Sequence, residues 1–421
     1  MMLPFQASIK TWAHGTKTLF SRPVSCLLAG LCVLWLAGCH SHEFPDYPVN
    51  YREYAYITNG GSNTVTALDV VNLRQDRVMQ VGTDPTGVAV NTKRNEVYVV
   101  NTGSNSVSVI DAEENAVVST IPVHDRPYFI SVSSDGKRAY VANSGSNTVS
   151  VIDLHLRREI AVIGVGESPG MAVISPDGNA LVVSNRKGNS VSIVDPRTDR
   201  VRSVWSGCPG ATDIVILPDS SKAFIACSGG HQVMVLALAT PESTDPAHAS
   251  IAPPMPKDAL LAMLDVGKTP IHLVLKPDGG EIFAVNYDDG SISEINTTTN
   301  EVGGAYLVGT HPVNGFASAD NSTLYVSDFD ADSLGVFSID DAELVGTART
   351  GDGPDAMAFS KAGHLLFVVD ARSGDIAVIR TSTHSLLTMF PTGRKPNDIA
   401  VKAFLMPPHH SLERRLKAFH K

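Results

Sequence analysis

The segment Tyr98-Val-Val-Asn-Thr-Gly-Ser-Asn-Ser-Val-Ser-Val-Ile-Asp111 returns forty-two residues later, almost unchanged, as Tyr140-Val-Ala-Asn-Ser-Gly-Ser-Asn-Thr-Val-Ser-Val-Ile-Asp153. Aligned copies begin at Tyr56, Tyr98, Tyr140, Val182, Phe224, Phe283, Tyr325 and Phe367, so the successive steps are 42, 42, 42, 42, 59, 42 and 42. Self-similarity at a fixed period of this size marks a repeat architecture, in which each unit buries its apolar faces only against its neighbours. Within each copy, alternating β-branched and aromatic residues lead through an Asn/Gly/Ser turn into a second alternating run such as Val107-Ser-Val-Ile110. That pattern predicts a β-hairpin.

Two further strands flank the hairpin. A Pro-x-x-apolar-x-apolar run, closed by a turn such as Ser175-Pro-Asp-Gly178 or Lys276-Pro-Asp-Gly279, predicts the strand before it, and runs such as Ala116-Val-Val-Ser-Thr-Ile121 predict the strand after it. No copy shows the 3.6-residue apolar period of a helix, so the fold class is all-β with a four-stranded antiparallel unit. Ser and Thr alternate with Val in the third strand, as in Val149-Ser-Val151, which suits sheets approached closely on both faces. The copy at Tyr56 lacks a first strand, while the chain ends in a spare one, Pro396-Asn-Asp-Ile-Ala-Val401. Together they complete one unit and predict an eight-bladed β-propeller, closed when the C-terminal strand joins the N-terminal blade. Seven blades is the alternative if one degenerate copy is extruded.

These segments resemble the YVTN β-propeller repeat of archaeal surface-layer proteins and bacterial periplasmic YncE-like proteins. The resemblance covers residues 54–402 and weakens toward the C-terminus, where the column Asn59, Asn101, Asn143, Asn185 continues as Cys227, Asn286, Asp328 and Asp370. Many propellers of this family are seven-bladed, so a count of eight departs from that expectation. The longer step places an insertion at 240–257 between the third and fourth strands of the fifth blade. Its Pro241, Pro246, Pro253, Pro254 and Pro256 predict an extended loop rather than a domain. Residues 403–421 form a basic tail, either a short helix or a frayed end.

The N-terminus reads as an export signal over residues 1–38: Lys10, Lys17 and Arg22 precede an apolar run from Val24 to Ala37. That run is too short to span a bilayer as a permanent helix. It ends in Leu36-Ala37-Gly38-Cys39, which resembles a bacterial lipobox and implies lipidation at Cys39, with residues 39–53 as a tether. An ordinary signal peptide with an incidental cysteine is the alternative. His40, rather than Asp, follows the cysteine and implies the outer membrane in the Gram-negative pattern, so the expected location is the periplasm or cell envelope. Losing three leader cations takes the formal net charge from −10 to −13, which disfavours nucleic acid as a partner. Roughly 380 remaining residues are accommodated by one closed ring, expected to be a monomer.

Propeller ligands usually bind at the channel mouth, where the loops into the first strands converge. Beside each rim proline stand Asp84, Arg126, Ser168, Gly210, Thr269, His311, Gly353 and Lys395. The next columns read Thr86, Tyr128, Gly170, Thr212, Ile271, Val313, Asp355, Asn397 and then Gly87, Phe129, Met171, Asp213, His272, Asn314, Ala356, Asp398. Variation confined to these columns of a repetitive unit suggests a site cut asymmetrically into a symmetric scaffold. A merely solvated mouth is the alternative. The candidate ligand-binding residues are Arg126, Tyr128, Asp213, His272, His311, Asp355, Lys395 and Asp398. By contrast, Asp69, Asp111, Asp153 and Asp195 recur as a column and read as turn caps.

No catalytic residues are assigned. Cys-x-x-Cys-His, His-Glu-x-x-His and Gly-x-x-x-x-Gly-Lys are all absent from the sequence, so no cofactor is expected. The alternative is haem, or a divalent metal on His272 and His311 with Asp213 or Asp355. After the leader, Cys208 and Cys227 remain besides Cys39, and they can pair if their Cα atoms come within about 7 Å. These readings point to a lipid-anchored, non-catalytic binding or scaffold module for an envelope protein, a glycan or a small ligand. The architecture is also similar to lactonase-type propellers and to the eight-bladed haem domain of denitrifying nitrite reductases, which implies an enzyme or cofactor-handling protein as the rival.

Overall fold

The computed structural model describes residues 45–239 and 257–406. The chain divides into two units, Met1–Asp46 and Tyr47–Lys421, and the propeller belongs wholly to the second. The leader, Cys39, residues 240–256 of the insertion and the tail beyond Met406 lie outside the described residues.

Every regular element among the described residues is a β-strand, and together they form eight antiparallel sheets of four. The blades are numbered here by their inner strands: Pro396–Leu405 (blade 1), Pro85–Val90 (2), Pro127–Val132 (3), Pro169–Ile174 (4), Ala211–Ile216 (5), Pro270–Leu275 (6), Pro312–Ala317 (7) and Pro354–Phe359 (8). The degenerate late copies form complete sheets, which excludes the seven-bladed alternative. Blade 1 is the composite of the two chain ends. Its inner strand pairs antiparallel with Tyr51–Asn59, setting Ile57 opposite Ile399 and Tyr51 opposite Leu405, so pairing runs slightly past both ends of the segment 54–402. The insertion leaves blade 5 between Gln232–Ala237 and Ala259–Asp265, its third and outer strands.

The burial pattern explains the residue choice in each strand. In blade 2 the second strand, Glu96–Asn101, is buried at every position and the third, Ser106–Asp111, at all but the last, while the outer strand Ala116–Pro122 buries only Ile121. Strands covered on both faces read as continuous apolar runs with small polar residues, whereas the outer strand alternates. The core is therefore a set of layers between blades. Tyr98, Val100, Val107 and Val109 of blade 2 pack on Ala139, Val141 and Ile152 of blade 3. Ala55 and Ile57 of blade 1 meet Leu365, Phe367 and Val369 of blade 8 in the layer that seals the ring. Each buried Val, Leu, Ile or Phe side chain contributes about 1.5–3 kcal/mol relative to exposure.

Polar clips reinforce the closing blade. Asn397 Nδ2 donates to the Pro85 carbonyl at 2.9 Å, Asp398 accepts the Val88 N–H at 2.9 Å, and Lys402 Nζ donates to the Asn91 carbonyl at 2.6 Å. On the other side, Glu53 Oε1 accepts the Lys361 N–H at 2.6 Å. Within blades, the repeat asparagine ties the second strand to the third: Asn101 Nδ2 donates to Ser106 Oγ at 3.1 Å and Ser108 Oγ at 3.0 Å. Asn59, Asn143, Asn185 and Asn286 make the same pair of bonds.

Candidate functional site

The turn entering each inner strand decides which side chains reach the channel. The residue before the rim proline is held in left-handed backbone, with φ of 52° at Asp84, 50° at Arg126, 53° at Ser168 and 52° at Lys395. Such φ values carry strain in non-glycine residues. A side chain of the preceding blade offsets it by capturing the N–H: Asn63 Oδ1 for Asp84 and Asn105 Oδ1 for Arg126, both at 3.0 Å. The two residues following the proline then line the channel.

A cavity of about 450 Å³ occupies the mouth, walled by that pair of residues from all eight blades and by Arg186. Of the eight candidates, Tyr128, Asp213, His272, Asp355 and Asp398 come together there. Arg126, His311 and Lys395 do not line it, because each sits at the turn position before the strand. His311 instead places Nδ1 2.6 Å from Asp330 Oδ2 and stacks on Tyr287 with ring centroids 4.7 Å apart. Arg372 completes that separate rim cluster, with Nη2 2.6 Å from Asp330 Oδ1. Lys395 borders a different rim groove with Arg372 and Arg394.

Arg186 is the wall residue that the column reading missed. It follows Asn185 in the hairpin turn of blade 4, and its guanidinium carbon lies 5.7 Å from the centroid of the Tyr128 ring. The same turn position elsewhere holds Gly60, Thr102, Ser144, Ser228, Tyr287, Phe329 and Ala371, so a lone cation in that column was the available signal.

The charges on the wall differ in how they are held. Burial disfavours a charge on both Asp213 and His272, but the pair offsets it: His272 Nδ1 lies 2.7 Å from Asp213 Oδ2, which lowers the carboxyl and raises the imidazole. Asp213 also accepts the N–H of Leu273 and of Ile214, each at 2.8 Å. His272 Nε2 lies 3.3 Å from the Gly315 carbonyl oxygen. Both neighbours of the ring are acceptors, an arrangement that favours a proton on each ring nitrogen. Asp398 is pushed up to about 7 by burial, against the lowering effect of the Val88 and Ile399 N–H donors and with a further rise from Asp355. Asp355 is raised to about 6 by burial, moderated by the His272 charge.

Away from the cavity, Cys208 and Cys227 form a disulfide with Cα atoms 4.8 Å apart. Its origin lies in the repeat. Where other blades set a loop glycine against the repeat asparagine, a Cβ on Gly166 would stand 2.5 Å from Asn185 and one on Gly267 2.5 Å from Asn286. Blade 5 replaces both partners by cysteine and makes the contact covalent. The aspartate column caps turns: Asp111 Oδ1 accepts the N–H of Glu113 and Glu114, and Asp153 Oδ1 those of His155 and Leu156.

Residues 24–178 match the family described as YNCE-like beta-propeller, and residues 316–395 that described as lactonase, 7-bladed beta-propeller. Over residues 24–178 the chain is similar to the YNCE-like β-propellers. The eight blades set the ring apart from the seven of the lactonase description. Among solved structures, the Kuenenia stuttgartiensis hydrazine synthase is similar at 22% identity and a TM-score of 0.53, covering 78% of this chain and 92% of that one. A dihydro-heme d1 dehydrogenase, NirN, in complex with DHE matches at 16% identity and a TM-score of 0.68, covering 85% and 76%. AztD from Citrobacter koseri matches at 12% and 0.65, covering 85% and 100%. At such identities the likeness is one of fold, which hosts varied roles. The curated proteins offer no match.

Proposed function

We propose that the protein is a cell-envelope binding module, tethered by a lipid on Cys39, whose channel mouth holds a small polar ligand. The supporting observation is the cavity wall: a symmetric ring presents two residues per blade, yet the wall combines aromatic Tyr128, charged Asp213, Asp355 and Arg186, apolar Ile271 and small Gly170. Evolution of one scaffold position per blade into unlike chemistries is what recognition of an asymmetric ligand requires. A volume of about 450 Å³ suits a small molecule better than a protein loop or a long glycan.

The non-catalytic reading rests on His272. With Nδ1 on Asp213 and Nε2 facing the Gly315 carbonyl, its ring is engaged by the protein on both sides, which supports a positioning role over proton abstraction or an axial bond to iron. Among the described residues no group of three or more His, Cys, Asp and Glu is placed to hold a metal ion. An enzyme or cofactor-handling role is the second reading, favoured by the lactonase match over residues 316–395 and by the likeness to a dihydro-heme d1 dehydrogenase.

The two readings separate on the purified protein. Its absorption spectrum and metal content are measured, then its thermal unfolding is followed against a library of polar metabolites. A colourless protein free of stoichiometric metal, stabilised by at least one metabolite and less so after Tyr128→Ala, is expected. A chromophore, a stoichiometric metal, or stabilisation indifferent to every cavity substitution overturns the binding reading.

A further inference from the structure

Among the described residues, two of the cavity's charged side chains, Asp355 and Arg186, form no hydrogen bond or ion pair within the protein. Asp213 is satisfied by His272 and two backbone N–H groups, His272 by Asp213 and Gly315, and Asp398 by the N–H of Val88 and Ile399. Asp355 differs. It faces the same cavity, and among the described residues it accepts no hydrogen bond and forms no ion pair. A carboxylate held away from bulk water without donors is costly unless something else brings a cation to it. Arg186 is its counterpart: its recorded contact is the face of Tyr128, and among the described residues no carboxylate pairs with it.

The ring places these two groups apart by symmetry. Arg186 belongs to blade 4 and Asp355 to blade 8, four steps round a ring of eight, so they stand on opposite walls and do not neutralise each other. Tyr128 and Phe129, from blade 3, supply aromatic surface beside Arg186.

We propose that the cavity takes an amphoteric small molecule, its anionic end paired with Arg186, its ammonium end paired with Asp355, and its body lying against Tyr128 and Phe129. The proposal rests on the ligand-binding reading and sharpens it to one charge class. A guanidinium fork recognises a carboxylate or phosphate in bidentate fashion, and an ammonium group supplies the N–H donors that Asp355 lacks. A purely anionic ligand leaves Asp355 unpaired and adds repulsion, and a purely cationic one does the same at Arg186.

The test uses the purified full chain and three linear series matched in length: 4-, 6- and 8-carbon ω-amino acids, the corresponding dicarboxylates, and the corresponding diamines. Binding is read by ligand-observed NMR at pH 7.5. At the best length the amino acid is expected to bind about tenfold more tightly than either relative, and Arg186→Gln or Asp355→Asn to remove about tenfold of that affinity. Asp355→Asn is also expected to abolish the preference for 6-aminohexanoate over hexanoate, which a merely structural role would not do. Equal binding of dicarboxylates or diamines, preserved preference in Asp355→Asn, or no binding by any series overturns the proposal. If it falls while a neutral or singly charged metabolite still protects the wild-type cavity from unfolding, the binding-module reading stands. If no metabolite does so, that reading falls as well.

Discussion

Asp355 and Asp398 make the cavity's charge depend on pH, and the sign follows from burial. Both carboxyls are raised in the folded chain, Asp355 to about 6 and Asp398 to about 7, above the ordinary carboxylate value that the unfolded chain keeps. The stability they contribute is fully present below about pH 4 and is lost as pH rises through the folded values. Thermal unfolding of wild type and Asp355→Asn, followed from pH 4 to 8, is expected to show the variant losing less stability between pH 4 and 6 and gaining about 1–3 kcal/mol at pH 8. A parallel pair of curves would refute the assignment. A second residue-scale case sits in blade 8, where the repeat asparagine is Asp370 and its serine partner is Asp375. Burial, and then the neighbouring Asp375 carboxyl, holds Asp370 well above the usual carboxylate range. Restoring the repeat with Asp375→Ser removes the like charge, so a gain of about 1–2 kcal/mol at pH 8 is expected by denaturant titration, vanishing near pH 4. Both residues were visible in the sequence as columns, but only burial shows that they are strained as charges.

At the scale of elements, the closing strand and the disulfide each carry a separable load. The strand Pro396–Leu405 supplies the inner edge of blade 1, and its removal exposes Ile57 and deletes the clips to Pro85, Val88 and Asn91. A chain ending at Lys395 is expected to lose its single cooperative thermal transition, since blades 2 and 8 would face an incomplete sheet. An unchanged transition would show that the ring closes otherwise. The Cys208–Cys227 bond closes a loop with a sequence separation of 19. Its reduction is expected to cost about 3 kcal/mol on the chain-entropy estimate, read as a shift in the denaturant midpoint at constant slope. From the sequence the pairing was a possibility that depended on the Cα separation, with Cys208 before the inner strand and Cys227 at the end of the second. That it replaces a glycine–asparagine contact required knowing how closely Gly166 and Gly267 approach their partners.

For the whole molecule, protection should vary with radius rather than with blade. Second and third strands such as Glu96–Asn101 and Ser106–Asp111 are buried on both faces, while outer strands such as Arg74–Gln80 and Glu343–Arg349 are mostly exposed. Amide exchange is therefore expected to be slowest in the two middle strands of every blade and fastest in the outer ones. One blade exchanging throughout ahead of the others would contradict this.

The period of forty-two residues, the two-faced apolar strands and the complementary chain ends pointed to a ring of eight blades, and the complete sheets of the late copies excluded seven. Units that are alike and apolar on both faces must stack on one another, and stacking with a constant rotation returns to its start. The ring also brings the non-repeating columns together at the channel mouth, around the candidate cavity. Which of those residues meet was decided only in three dimensions. The left-handed turn sends Arg126 and Lys395 away from the wall and brings in the two residues that follow the strand start. Ring closure then sets Arg186 across from Asp355, an opposition that no local spacing encodes because it arises from the sum of all the rotations between blades.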